Sequence, residues 1–118
     1  MNWWSSVLAG VAVALGPTTL SATDVKIVGL GAATCSIFRE DIDRRPDMER
    51  LYFAWAQGYM NGIMIRAPEA QEEAIDLTRP DFPLQAQLAF LRSFCTDNPT
   101  ANYADAIQGL YLALQRRR

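Results

Sequence analysis

The first chemical question is what the chain's two thiols can do. Cys35 and Cys95 stand about 60 residues apart in a sequence of 118 residues that contains no His. A structural zinc site needs four ligands, and a redox pair normally sits as Cys-x-x-Cys, so neither reading finds its partners. In an oxidising compartment an even pair is most simply a disulfide, and closing a loop of that length restricts the unfolded chain by roughly 4 kcal/mol. Without imidazole neither a Ser-His-Asp nor a Cys-His arrangement can be assembled. The acidic group Glu69, Glu72, Glu73 and Asp76 lacks the spacing of a calcium loop and reads as solvated. Gly29-Leu-Gly31 resembles a fragment of a dinucleotide loop, but no strand-loop-helix context surrounds it. Arg44-Arg45 and Arg116-Arg117-Arg118 are basic spots on a chain of net charge −2, which disfavours nucleic-acid binding. The expectation is a chain with no catalytic residues, no metal and no cofactor.

The elements that must position these residues follow from the pattern. Every charged side chain lies after residue 23, and Val7 to Leu15 is an apolar run too short to span a bilayer, which needs about 20 residues. This predicts a signal peptide over 1–22, with cleavage near Ala22, and a single domain over 23–118. Export removes any stable membrane insertion and points to the periplasm. Thr23 to Ala33 reads as irregular. Thr34 can cap a short first helix from Cys35 to about Asp41. A central helix is expected from about Pro46 to Arg66, ending before Pro68, with Asp47 and Glu49 at its positive end. The stretch 68–83 is acidic and proline-rich, a long connection with one helical turn near Gln71 to Ile75. Asp81 can cap a third helix, in which Leu84, Leu88, Leu91 and Cys95 share a face, and which stops at Asp97-Asn98-Pro99. A last helix begins at Thr100 or Asn102 and carries Tyr103, Ile107, Leu110 and Leu114 on one stripe. The fold class is all-α: a small orthogonal four-helix bundle, one helix short, stapled by one disulfide.

The central helix is the richest in aromatics. Tyr52, Trp55, Tyr59 and Ile63 fall on one helical face, with Ala56 and Met60 widening it. Trp55, Tyr59, Ile63, Leu88, Leu91, Ile107 and Leu110 are therefore the predicted core. Tyr52, Phe53 and Met60, flanking Trp55, are the predicted exposed apolar edge, available to a partner protein. Gly58 and Gly62 each cost about 1 kcal/mol against Ala in a helix interior, which predicts a neighbouring backbone packed close to them.

With these residues placed, the chain resembles the small periplasmic acid-stress chaperones of the HdeA and HdeB type. The resemblance runs from Ala33 to Arg118 and rests on Thr34-Cys35-Ser-Ile-Phe38, on Trp55-Ala-Gln-Gly58-Tyr-Met-Asn-Gly62, and on Cys95-Thr-Asp-Asn-Pro99 before a final amphipathic helix. The chain is also similar to uncharacterised proteobacterial exported proteins with a Trp-Ala-x-Gly pattern, and more distantly to two-cysteine immunity proteins of the Tai type. The resemblance implies a helical fold pinned by Cys35 and Cys95, no catalysis, and a homodimer that loosens in acid and exposes apolar surface to unfolded clients. The cysteine pair carries over residue by residue. The aromatic-rich helix and the 68–83 connection depart from the family pattern.

Acid sensing has a physical route here. Thirteen acidic against eleven basic side chains take the chain toward about +11 as pH falls through the carboxylate range near 4, and such self-repulsion loosens interfaces. Two functional classes follow: a periplasmic chaperone-like protein that binds unfolded clients or a second subunit, and an immunity protein that occludes a secreted effector enzyme. A structural helper without a client is the third.

Overall fold

A computed structural model of the chain describes residues 10–14, 16, 26–66 and 75–117. Most of the predicted signal peptide and the whole of 71–74, where a helical turn was expected, lie outside these residues. The described part is all-helical: a 3₁₀ turn at Gly29–Ala32, then α1 Cys35–Arg44, α2 Met48–Arg66, α3 Leu84–Asp97 and α4 Tyr103–Gln115.

Each helix starts and stops for a local reason. Thr34 caps α1 as predicted, its Oγ1 accepting the Ile37 N–H at 3.2 Å. The helix runs one turn beyond the predicted end at Asp41, where Glu40 and Arg44 form an i,i+4 ion pair along it. Pro46 lies before α2 rather than in its first turn, because Arg45 to Asp47 form the bend whose carbonyls accept from Met48 and Glu49. Asp81 does not cap α3. It is engaged by Arg79 instead, at 2.8 and 2.9 Å, and Pro83 takes the N-cap position with no side-chain cap. At α4 the Asp105 carboxylate accepts the Asn102 N–H at 2.9 Å, half of a capping box.

The bundle is tied at one crossing. Cys35 opens α1 and Cys95 sits in the last turn of α3, and the two form a fully buried disulfide with Cα atoms 4.7 Å apart. Beside it the Cys35 N–H donates to Ala101 O at 2.7 Å, Ser36 N–H to Pro99 O at 3.0 Å, and Tyr103 N–H to Ala33 O at 2.8 Å. The start of α1, the end of α3 and the start of α4 are thereby fixed together. Phe38, Tyr52 and Tyr103 pack next to this knot with ring centroids 4.7 to 5.0 Å apart, the edge-to-face and tilted arrangements that aromatic quadrupoles favour.

The rotation of α2 corrects the sequence reading. Tyr52, Phe53, Ala56 and Met60 are its buried residues, whereas Trp55, Tyr59 and Ile63 are only half-buried, as is Leu88 on α3. Leu91, Ile107 and Leu110 are core, as predicted. The predicted stripe and the predicted edge thus exchange places. On a wheel of 100° per residue the buried arc is centred about 70° beyond the Tyr52-Trp55-Tyr59-Ile63 line. The apolar side of α2 is wider than one stripe, so periodicity alone leaves its rotation open, and packing against α1, α4 and the 3₁₀ turn selects the Ala56-Met60 line.

The knot generates the first prediction. Cys35→Ser or Cys95→Ser should lower stability by about 2 to 5 kcal/mol, read from urea unfolding as a lower midpoint, with a larger m because the unlinked unfolded chain exposes more surface. A variant that unfolds with the wild-type midpoint would mean that the backbone bonds at the crossing hold the helices without the covalent link.

Candidate functional site

Trp55 stands on the shoulder of α2 beneath the 3₁₀ turn. Gly29 adopts φ +77°, a left-handed conformation natural to glycine, and a Cβ there would meet the indole Nε1 at 3.0 Å. At Gly31 a Cβ would overlap the indole ring at Cη2. The Gly-Leu-Gly segment is therefore a seat for the indole, which accounts for glycines that sequence pattern alone could match to a nucleotide loop. Tyr59 stacks on Trp55 with centroids 5.4 Å apart and accepts from Gln108 Nε2 of α4 at 3.0 Å. This shoulder is satisfied largely within the domain.

The side of α2 that faces away from the core is not. Leu51, Ala54, Gly58, Gly62 and Ile65 recur along its outer line, all exposed, Leu51 at 51% and Ile65 at 81%. No atom lies within 4 Å of a Cβ built at Gly58 or Gly62. The close backbone expected beside these glycines is absent among the described residues. The predicted partner edge, Tyr52, Phe53 and Met60, is buried under the other helices and is unavailable in the folded domain. Gly58 and Gly62, four apart, were the sequence signal at this line, and Ala54, Leu51 and Ile65 join them only in the structure.

A second surface feature is a groove of about 350 Å³ between α2, the loop at 77–80 and the start of α3. Phe53, Leu77, Pro80 and Leu84 supply apolar walls, and Gln57 and Gln87 supply amides. Gln87 is only 2% exposed, and its Nε2 donates to Leu77 O at 2.9 Å and to Phe82 O at 3.0 Å. Two carbonyl acceptors on one side of the amide fix its orientation. Its Oε1 is buried and meets no donor among the described residues. An acceptor left so costs about 1 to 3 kcal/mol. Nothing in the helical pattern marks Gln87, which occupies a core-facing position beside Leu88 and Leu91.

The remaining charged candidates are engaged in structure. Asp76 accepts the Thr78 N–H and hydroxyl at 2.8 and 2.7 Å, bonds that hold its carboxyl below the usual range. Arg116 Nε lies 3.4 Å from Leu112 O, and the Arg117 guanidinium lies 4.3 Å over the Phe82 ring. Glu69, Glu72, Glu73 and Arg118 lie outside the described residues. Among the described residues no cluster of three His, Cys, Asp or Glu side chains could hold a metal ion, and no helix is long and apolar enough to cross a membrane.

Two buried phenols are shifted. Tyr52 donates its hydroxyl to Asp41 Oδ2 at 2.6 Å, and burial first, then this bond, push its pKa well above the ordinary phenol value. Burial does the same to Tyr103, with the Glu49 charge adding to it. Comparison of the chain with known protein families, curated proteins and solved structures returns no match.

Two predictions follow from these contacts. Gly31→Ala forces a methyl into the indole face, so the turn or the ring must move. In a chain whose Trp3 and Trp4 are replaced by Phe, Trp55 emission should shift to the red and stability should fall by about 1 to 3 kcal/mol. Unchanged emission would mean that the turn does not cover the ring. For the phenols the sign is set by a folded pKa above the unfolded one. Their contribution is fully present below the unfolded value near 10 and is lost as pH climbs toward the folded values. Tm measured by circular dichroism should fall above about pH 10, and Tyr52→Phe should make that fall shallower.

Proposed function

We propose that the chain is an exported, non-enzymatic binding protein of the periplasm, chaperone-like in holding protein partners, unfolded clients or a second subunit, on an apolar helix surface. The observation that carries the reading is the outer line of α2, Leu51-Ala54-Gly58-Gly62-Ile65, exposed along its length with open space above both glycines. Small residues let another backbone approach closely, and exposed Leu and Ile at the two ends add apolar area to a contact there. A buried disulfide suits an oxidising compartment. The acid-stress role rests on the resemblance to HdeA-type proteins and on the charge gained as carboxylates protonate. The immunity reading uses the same surface with a folded enzyme as its partner.

The test replaces Ile65 by Asp, which alters an exposed position without entering the core. The variant should keep the wild-type Tm and helical signal while losing suppression of aggregation of an acid-denatured client, assayed at pH 2.5 and at pH 7. Wild-type protection by Ile65→Asp would remove the outer line from the function. No suppression by the wild-type chain at either pH would remove the chaperone reading.

A further inference from the structure

We propose that the segment 27–33 is an internal strap, whose Gly29–Ala32 turn covers the Trp55 indole and which, on swinging away about Ala33, yields that aromatic seat to a glycine-containing segment of an unfolded polypeptide. The proposal rests on the protein-binding reading and adds to it a second, gated contact, separate from the outer line of α2.

The strap itself shows what the seat accepts. A Cβ at Gly31 would overlap the indole ring, and one at Gly29, where φ is +77°, would meet Nε1 at 3.0 Å. The ring therefore takes bare backbone at two positions two residues apart, the property of a Gly-x-Gly segment from any chain.

The strap is held by packing. Among the described residues no hydrogen bond joins 26–32 to the four helices. Ala33 N–H turns back to Leu30 O at 3.2 Å within the strap, and the first bond to the bundle is Tyr103 N–H to Ala33 O at 2.8 Å. Leu30 is half-buried against the core, while Gly29 and Ala32 are exposed and Val28 is 75% exposed. Glycine loses more backbone freedom on ordering than any other residue, so a cover built on two of them opens at low cost. Segments with few buried contacts and little hydrogen bonding open locally, without global unfolding. The pivot stays fixed, because Cys35 beside it belongs to the disulfide knot.

The seat outlasts the opening. Tyr59 stacks on Trp55 with centroids 5.4 Å apart, and its hydroxyl accepts from Gln108 Nε2 of α4 at 3.0 Å, so the aromatic pair is positioned by the bundle and not by the strap. An opened strap leaves a preformed flat surface, and the tethered strap competes with every ligand for it.

The experiment uses the oxidised full chain with Trp3 and Trp4 replaced by Phe, so that emission reports Trp55. Leu30→Asp puts a charge on the strap's apolar anchor. It should raise acrylamide quenching of Trp55 several-fold while the helical signal and a cooperative melt are kept. The probe is N-acetylated, C-amidated Ile-Val-Gly-Leu-Gly-Ala-Ala, the sequence of 27–33 supplied in trans, which should restore protection of Trp55 saturably. It should bind the chain with Leu30 intact at least about tenfold more weakly, because a short tether gives the resident strap an effective concentration on the order of millimolar. The same peptide carrying Gly31→Ala should bind Leu30→Asp about tenfold more weakly than the parent peptide, since its methyl meets the ring. Hydrogen exchange on the wild-type chain reads the strap without any variant: the Ala33 amide should exchange through an opening that low urea does not accelerate, while the Tyr103 amide follows global unfolding. Unchanged quenching in a folded Leu30→Asp chain, no saturation, equal affinity with Leu30 intact, equal affinity of the Gly31→Ala peptide, or an Ala33 amide that exchanges only with global unfolding overturns the proposal. Ile65→Asp should leave this titration intact, so failure of the outer line and failure of the strap are read separately.

Discussion

The buried link between Cys35 and Cys95 is the constraint on which the rest of the structure depends. It joins the first residue of α1 to the last turn of α3, and the adjoining backbone bonds bring in the start of α4. A small domain buries a smaller share of its surface than a large one and is only marginally stable by packing, so a covalent link weighs heavily in it. Joining three helix ends at one point shortens the search for the remaining contacts, because α3 then packs against both α1 and α4. The long helix α2 packs on α1, α4 and the 3₁₀ turn and buries Tyr52, Phe53, Ala56 and Met60. Glu49 adds a lateral tie, its two oxygens accepting from Arg92 Nη1 at 2.7 and 2.8 Å.

The order of helices, their approximate ends and the cysteine pair were legible because each is written locally. Thr34 before Cys35, Pro68 after Arg66 and Asp97-Asn98-Pro99 after α3 act within a few residues of themselves. What was not legible is rotation and approach. Trp55 shares a helical face with Tyr52, Tyr59 and Ile63, and that spacing suggested the core. The bundle seats it on the shoulder because a glycine turn, more than twenty residues away in sequence, offers a flat surface there. Asp81 is likewise a good cap by residue type, but Arg79 competes for the same oxygens two residues away.

The candidate sites were less legible than the fold, for a related reason. Gln87 follows the helical pattern of its neighbours, and only its contacts with the loop carbonyls show that half of its hydrogen-bonding capacity is used and half is not. Gly58 and Gly62 were visible in sequence as two costly residues on one helix. Their meaning turned on whether a neighbour covers them, which a periodic pattern leaves open.

The outer line of α2 bears on function through an asymmetry within one helix. The arc containing Tyr52 and Met60 is part of the buried core, and exchanging any of its members would disturb that core. The opposite arc has no such duty. An exposed helix interior with no packing demand favours Ala, Glu or Lys, and each glycine there is disfavoured by about 1 kcal/mol. At Gly31 the missing Cβ is explained by an indole at contact distance, whereas at Gly58 and Gly62 no described atom lies near enough to require it. Two glycines on one line, between an exposed Leu51 and an exposed Ile65, therefore weaken the folded domain without helping it pack. A contact made outside the domain, in which another chain approaches the backbone of α2, is the arrangement in which the same two residues become favourable.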